Sequence, residues 1–202
     1  MTDTITLVRH PHTGLRTPDD RFKVTSLSQH MAHDGVAFTA NLKDRARIVG
    51  TIENEGYGGP TNFWCKFEHS NPLHVSTGAL EEYAALCRSE RGGPVNIEDL
   101  LNDLVTEFET AKRIKAVEKR DGALLRMLGF MPDGDGKPAG DPYAQDETTW
   151  SMPAERLNLE WAAETLHRRR PPAEHAWWQV WRDGKWVDVT TRPTHLPADL
   201  YC

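Results

Sequence analysis

Histidines in the N-terminal part of the chain are the side chains best suited to catalysis. His10 and His12 flank a single proline, while His30 and His33 follow further along, with Asp34 directly after them. Imidazole and carboxylate groups are suitable ligands for divalent transition metals. Together around a metal, these residues would fit an enzyme that acts on phosphodiesters or nucleotides. Their spacing matches no specific metal motif, such as HExxH, so a surface or capping role is the competing interpretation.

Other catalytic patterns are missing from the sequence. It contains no GxSxG motif and no serine or cysteine with a recognisable base beside it. Cys65 lies in an alternating segment, which favours packing over catalysis. The run that begins at Asp133 resembles the start of a calcium loop, but Ala144 stands where such a loop ends in glutamate. We therefore expect no cofactor, and we predict no catalytic residue; the histidines are candidates only as metal ligands.

A glycine-rich segment, Asn54–Asn62 (NEGYGGPTN), is the least generic stretch of the chain. Glycine reaches positive φ without strain and proline fixes φ, so such a run predicts a defined backbone shape. A phosphate-binding loop would need a helix after it, whereas residues 61–67 alternate like a strand. The G-x-G-G spacing also differs from GxGxxG. The pattern favours a structural turn or bulge between two strands over a nucleotide loop.

The same segment supplies candidate binding residues. Asn54 and Asn62 are expected to hydrogen-bond the backbone of the turn, as asparagine does in Asx-turns. Tyr57 lies at the predicted tip, where its ring could contact a partner. Together with Gly58 and Gly59, these residues form the predicted surface for a protein partner or, as an alternative, for a small anionic ligand.

Tryptophan and arginine are concentrated near the C-terminus. Four of the seven tryptophans fall within the run WWQVWRDGKWVDV; they are Trp177, Trp178, Trp181 and Trp186. Either both faces of this segment are covered inside the fold, or one face, including Trp178, is an interaction surface, where Trp and Arg are enriched. The arginine run around Arg169 is a second candidate, for contact with phosphate or an acidic partner, although arginines after a helix are usually solvated.

The strands that position these residues follow from hydrophobic periodicity. Apolar residues alternate over Val36–Leu42, Arg47–Asn54 and Thr61–Phe67, which predicts a three-stranded antiparallel meander with one face covered. Asp183-Gly184 between two alternating runs predicts a C-terminal, tryptophan-rich hairpin. The resulting prediction is an α+β fold in which an antiparallel sheet packs against a few helices.

Helices are predicted mainly after the meander. The longest covers about residues 96–120, where apolar residues recur every three or four positions, and an earlier one begins near Ser76. Three shorter helical segments are predicted: Thr25–His33, Ala123–Leu128 and Pro153–Arg168. We expect a flexible loop over about residues 131–150, because its first part is rich in Gly, Pro and Asp. Residues 1–202 are expected to form a single domain.

Composition narrows the classes of partner and compartment. The chain has 202 residues, of which 38% are hydrophobic and 27% charged, and these are globular values. Its net charge of −6 makes nucleic acid an unfavourable partner, since phosphates attract clustered Lys and Arg. The odd number of cysteines, the lack of a long apolar run and the lack of a signal-peptide pattern predict a cytoplasmic location without membrane contact.

The run VGTIENEGYGGPTNFW resembles a motif of small uncharacterised proteins from bacteriophages and related mobile elements. The residues that carry the resemblance are Val49, Gly50, Thr51, Asn54, Gly56, Gly58, Gly59 and Asn62. The strand before this run and the long helix after it also agree, so the resemblance covers about residues 27–128. It implies a phage or mobile-element context and assigns no catalytic residue.

Together, these patterns favour a non-enzymatic binding protein of phage or mobile-element type that acts on a host or phage protein. The lack of a catalytic template, the position of Tyr57 and the surplus of tryptophans support this hypothesis. Two alternatives stay open: a metal-dependent enzyme that uses the N-terminal histidines, and a binder of a small anionic ligand such as a nucleotide.

Overall fold

The computed structural model of the chain describes residues 6–33, 35–134 and 138–193, and for Met131 and Pro132 it describes the backbone alone. Contacts along the chain group into an N-terminal unit, Met1–Thr110, and a C-terminal unit, Ala111–Cys202. Each unit has its own four-stranded antiparallel sheet. The single domain expected over the whole sequence stays a prediction.

The N-terminal unit is built on one antiparallel sheet. Its strands, in spatial order, are β3 (Phe22–Met31), β4 (Val36–Asp44), β5 (Arg47–Asn54) and β6 (Asn62–Cys65). A separate two-stranded ribbon precedes the sheet and consists of β1 (Val8–Arg9) and β2 (Arg16–Thr17). Two helices follow the sheet, α1 (Thr77–Leu86) and α2 (Ile97–Glu118), and the boundary between the units falls within α2.

A hydrophobic core joins this sheet to its helices. Ala40 and Leu42 of β4 and Ile52 of β5 are buried and are separated by more exposed polar residues, as the side-chain period of a strand requires. These residues belong to one buried cluster with Leu80 of α1 and Leu100 of α2. The apolar stripes read from the sequence therefore face a common interior.

Several predictions for this unit are confirmed. The predicted meander is present as β4, β5 and β6. Helix α1 begins directly after Ser76, whose hydroxyl accepts a hydrogen bond from the Ala79 backbone N–H at 3.1 Å. The predicted long helix corresponds to α2, which ends at Glu118.

The helix predicted at Thr25–His33 is wrong, because most of that segment belongs to strand β3. This strand pairs with β4 over nearly its whole length, from Phe22 opposite Asp44 to Met31 opposite Val36. Polar residues of this segment, such as Ser26 and Ser28, lie on exposed positions of the strand. Pairing with β4 satisfies the backbone groups of β3, so no local helix is needed.

The C-terminal unit contains the second sheet. Its strands, in spatial order, are β10 (Lys185–Asp188), β9 (Trp177–Arg182), β7 (Ala123–Pro132) and β8 (Pro138–Trp150). A 3₁₀ turn at Ala154–Arg156 leads to helix α3 (Leu159–Arg169). Helix α3 therefore begins later than the predicted helix at 153–168. The Asn158 side chain caps α3 by accepting a hydrogen bond from Trp161 N.

The predicted C-terminal hairpin is confirmed. Strands β9 and β10 pair antiparallel, with Trp181 opposite Trp186. The two residues between them, Asp183 and Gly184, have φ of 52° and 75°. Positive φ at both central residues is what a two-residue type I′ turn requires, so the turn type predicted from Asp183-Gly184 is present.

Two other predictions for this unit are wrong. Residues 123–128, expected to be helical, belong to β7, and the flexible loop expected over 131–150 is largely strand β8. Strand β8 lies at the edge of the sheet, where an exposed strand needs few apolar residues. Prolines such as Pro142 are tolerated there, because an edge strand needs fewer backbone donors.

The α+β fold class with antiparallel sheets is confirmed. Among the described residues, no helix has both the length and the apolar composition needed to cross a membrane.

Candidate functional site

The glycine-rich turn between β5 and β6 is held by its own asparagines. Asn54 accepts a hydrogen bond from Gly56 N at 2.8 Å, and its amide donates to the Gly59 carbonyl at 3.3 Å. The Asn62 amide donates to the Pro60 carbonyl at 3.2 Å. The predicted role of both asparagines in organising the backbone is therefore confirmed.

The turn is also fastened on two sides. Thr61 donates through its backbone N–H to Glu98 at 3.2 Å and through its hydroxyl to Asn102 at 2.7 Å, and both acceptors lie on α2. On the other side, a Cβ added to Gly56 would lie 2.7 Å from the Ala37 nitrogen. The backbone of the turn thus packs closely against the end of the β3–β4 hairpin, and only glycine fits there.

Exposed apolar side chains lie around this packed end of the sheet. Tyr57 is 66% exposed, Met31 is 79% exposed and Val36 is 44% exposed. Met31 and Val36 are paired across the β3–β4 hairpin, and the missing Cβ of Gly56 would lie 3.0 Å from the Val36 carbonyl carbon. We call these three residues the tip patch. Tyr57 directly follows Gly56, whose backbone packs against this hairpin.

The turn is poorly suited to bind an anion. Anion loops direct free backbone N–H groups at the ligand. Here the Gly56 N–H is directed at Asn54, and the Thr61 N–H is directed at the carboxylate of Glu98. Exposed Glu55 of the turn adds a negative charge to that of Glu98 on α2. Gly58 and Gly59 are exposed, with no atom within 4 Å of an added Cβ, so they leave the tip open rather than enclose a ligand.

The histidines expected to hold a metal are not brought together. His10 and His12 are each only 8% exposed, and they lie between β1 and β2. His30 lies on strand β3 and His33 follows it, both exposed, while Asp34 lies outside the described residues. In the described parts of the chain, no three His, Cys, Asp or Glu side chains are grouped as a metal site requires.

His10 and His12 have structural contacts instead. His10 Nε2 lies 3.0 Å from the Thr17 hydroxyl, which ties the ribbon across its two strands. The backbone N–H groups of His12 and Thr13 both donate to Glu107 of α2, at 2.9 and 3.1 Å. These contacts give both histidines a role in attaching the N-terminal ribbon.

The buried His10 imidazole predicts a pH dependence of folding. Burial lowers the pKa of His10 below 6.5, Lys23 lowers it further, and Asp20 opposes the shift. Below its ordinary pKa the unfolded chain therefore binds a proton that the folded chain does not, so stability falls as the pH drops through this range. We expect the urea midpoint to fall between about pH 7 and pH 5, and to fall less in His10→Gln.

Exposed His30 provides the matched control for this experiment, because His30→Gln removes an imidazole from the surface of β3. Its midpoint should follow that of the wild type with pH. An identical pH response in the wild type and in His10→Gln would contradict the assignment to His10.

Neither described cysteine is an activated nucleophile. Cys65 Sγ lies 3.3 Å from His74 Nδ1, a contact that the sequence did not reveal. The same Nδ1 lies 2.8 Å from the Phe67 carbonyl oxygen, to which only an N–H can donate. In the neutral ring Nδ1 therefore carries the proton and cannot accept one from the thiol. Cys87 is fully buried, and burial raises its pKa to about 12.

The prediction of Trp178 as a contact residue for a partner is wrong. Trp177 and Trp178 are both 0% exposed, and Trp186 is 8% exposed. Trp178 Nε1 donates to the Arg170 carbonyl at 3.1 Å, so its polar atom is also used inside the fold. Strand β9 lies between β7 and β10, and both of its faces are covered. The surplus of tryptophans belongs mainly to the core.

Arg169 lies on an open groove of the C-terminal unit. The groove has a volume of about 510 Å³, and it is bounded by the end of β8 and by α3. Trp150 and Trp161 also line it. Neither tryptophan is recognisable as a site residue from the sequence, because Trp150 falls at the end of the predicted loop and Trp161 within the predicted helix Pro153–Arg168.

Comparison with known proteins gives no relative for the chain: no protein family matches it, and neither do the curated proteins or the solved structures.

Proposed function

We propose that the protein is a non-enzymatic binding protein whose tip patch contacts a protein partner. The observation that carries this proposal is the 66% exposure of Tyr57 on a turn that is fastened on two sides, beside Met31 and Val36. Aromatic residues and methionine are enriched at protein interfaces, and a rigid presentation reduces the entropy lost on binding.

The charges near the patch favour a partner of particular chemistry. Glu55 is exposed and Glu53 is half-buried on the strand that leads into the turn. Acidic residues beside an apolar patch complement a partner surface that places basic residues opposite them. The resemblance to phage and mobile-element proteins supports a host or phage protein as this partner, encountered in the cytoplasm.

The enzymatic alternative has less support. The histidines proposed to hold a metal are separated into a buried pair and an exposed pair, and the thiol of Cys65 faces a protonated ring nitrogen. A search for turnover of phosphodiesters or nucleotides by the purified protein would overturn the proposal if it succeeded.

The proposal is tested by comparing captures with wild-type protein and with variants. The wild type, Tyr57→Ala and Met31→Ser are immobilised and exposed to bacterial lysates prepared with and without phage infection. We expect a protein retained by the wild type to be recovered at least tenfold less with either variant, since a central aromatic contact contributes about 2 kcal/mol or more. The retained protein is then purified, and its Kd is measured for each variant.

Trp64→Ala is the matched control, because Trp64 is 60% exposed but lies on strand β6 rather than in the tip patch. It should bind the purified partner as the wild type does. Equal Kd values for the wild type, Tyr57→Ala and Met31→Ser would overturn the proposal, and so would a failure of the wild type to retain any protein.

A further inference from the structure

The groove of the C-terminal unit has the dimensions of a ligand site. One wall is the end of strand β8, from Thr148 to Trp150, and the other is the face of α3 that carries Trp161 and Thr165. Its volume of about 510 Å³ lies within the range of about 300–1,000 Å³ that is typical of small-molecule pockets. The tip patch belongs to the other unit, so this site is independent of the function proposed above.

Two tryptophans form one end of the groove. The rings of Trp150 and Trp161 meet edge to face, with centroids 5.3 Å apart and an interplanar angle of 70°. This contact fixes the orientation of both rings. Trp161 is still 50% exposed, so a ring face is available to solvent. A flat aromatic group can stack favourably on such a face.

Three arginines form the other end. Arg170 pairs with Asp146 at 2.9 Å, which neutralises it and holds it in place. Arg168 and Arg169 are exposed, and no carboxylate in the described part of the chain forms an ion pair with either. Guanidinium groups bind phosphate in two-pronged hydrogen bonds, so this pair is suited to an anionic group.

A buried hydroxyl lies between the two ends. Thr165 is only 6% exposed, and its Oγ1 has no hydrogen-bond partner among the described residues. Buried polar atoms without a partner are uncommon, because each loses its hydrogen bonds to water on folding. Thr165 lines the groove, and a change of its χ1 rotamer would bring this hydroxyl to a polar atom of a ligand.

Helical spacing places these groups on one line. Trp161, Thr165 and Arg168 follow one another at intervals of four and three residues on α3, and such positions share one helix face. With a rise of 1.5 Å per residue, the tryptophan and the arginine are separated by about 10 Å along the helix axis. An aromatic base, a sugar and a phosphate in sequence extend over a similar length.

We propose that this groove binds a mononucleotide, with the base on Trp161, a polar atom of the ligand at Thr165 and the phosphate at Arg168 and Arg169. The net charge of −6 disfavours a polynucleotide, whose many phosphates would meet overall repulsion, but a single phosphate needs only the local arginines.

The test uses isothermal titration calorimetry on the whole protein with AMP, GMP, CMP and UMP. The four matching nucleosides, ribose 5-phosphate and inorganic phosphate serve as partial ligands. We expect at least one mononucleotide to bind, and expect its matching nucleoside, or ribose 5-phosphate, to bind at least tenfold more weakly. Trp161→Ala and Arg169→Gln should each raise the Kd at least fivefold, and added salt should weaken binding through the phosphate.

Two controls separate binding from folding. Arg120→Gln removes another exposed arginine of the same unit and should leave the Kd unchanged. Trp161→Phe keeps an aromatic face and should retain most of the affinity. Retained affinity would show that the loss in Trp161→Ala comes from the missing aromatic ring. Circular dichroism confirms that each variant is folded before it is titrated.

Four outcomes would overturn this proposal. One is no heat of binding from any mononucleotide at millimolar concentration. A second is inorganic phosphate binding as tightly as the mononucleotides, which would identify a simple anion patch. The third is a short single-stranded oligonucleotide binding more tightly than its mononucleotide, since that would point to nucleic acid. The fourth is a Kd unaffected by Trp161→Ala and Arg169→Gln.

Discussion

Gly56→Ala is expected to destabilise the N-terminal unit by about 2–5 kcal/mol. Gly56 has φ of +72°, a region in which a Cβ costs about 1–2 kcal/mol. The added methyl would also lie 2.7 Å from the Ala37 nitrogen and 2.8 Å from the Ala32 Cβ. Backbone atoms cannot rotate away as a flexible side chain can, so either the turn or the hairpin must shift. Urea unfolding followed by circular dichroism measures the loss.

Gly58→Ala is the matched control for this prediction. Gly58 has a similar φ of +76°, but no atom lies within 4 Å of its added Cβ. It should therefore show only the backbone strain of about 1–2 kcal/mol. The difference between the two variants isolates the contact between the turn and the β3–β4 hairpin. If both variants lost the same stability, the close packing of Gly56 would be disproved.

Trp178→Ala is expected to destabilise the C-terminal unit by about 3–5 kcal/mol, the usual cost of truncating a buried aromatic residue. Trp178 is fully buried in a cluster that includes Leu125 of β7 and Leu166 of α3. Its loss leaves a cavity between sheet and helix, and it removes the donor to the Arg170 carbonyl. The unfolding midpoint should fall in urea, whereas Trp178→Phe should recover part of the loss by filling most of the cavity.

Trp161→Ala is the control, because Trp161 is half exposed and its removal should cost about 1 kcal/mol or less. A Trp178→Ala variant of unchanged stability that lost partner binding would restore the original interpretation of Trp178 as a contact residue. A stable variant with intact binding would contradict both interpretations.

Features that depend on a few neighbouring residues were predicted correctly from the sequence. Asp183-Gly184 predicted the hairpin because a tight turn is specified by its own two residues. Asn54 and Asn62 predicted the hydrogen bonds of the glycine-rich turn for the same reason, since an Asx-turn involves only neighbouring residues. The stripe of α2 succeeded because its period repeats over many turns.

The elements most often predicted wrongly from the sequence are edge strands. Strands β3 and β8 each lie at the edge of a sheet, and their exposed faces are polar. The polar residues of β3 suggest a short helix. The Gly, Pro and Asp residues before β8 and in its first part suggest a loop. The backbone partners of each strand lie on another strand, so no pattern within the segment itself reveals the pairing.

Among the candidate binding residues, exposure was predictable from the sequence only where it depends on neighbouring residues. Tyr57 was correctly expected at an exposed tip, because a residue at the centre of a tight turn has few neighbours to cover it. The exposure of Trp178 depends on what packs on both faces of β9, and the contact of Trp150 with Trp161 depends on how α3 packs against the end of β8. Neither follows from spacing along the chain.

Periodicity and turn chemistry predict the α+β class, the meander, the long helix and the asparagine hydrogen bonds of the glycine-rich turn, since these signals act over a few residues. The tertiary structure alone shows which tryptophans are buried, that the histidines are separate and that the end of β8 lies against α3 to form the groove. These features depend on long-range contacts, because burial and proximity are properties of packed surfaces rather than of single segments.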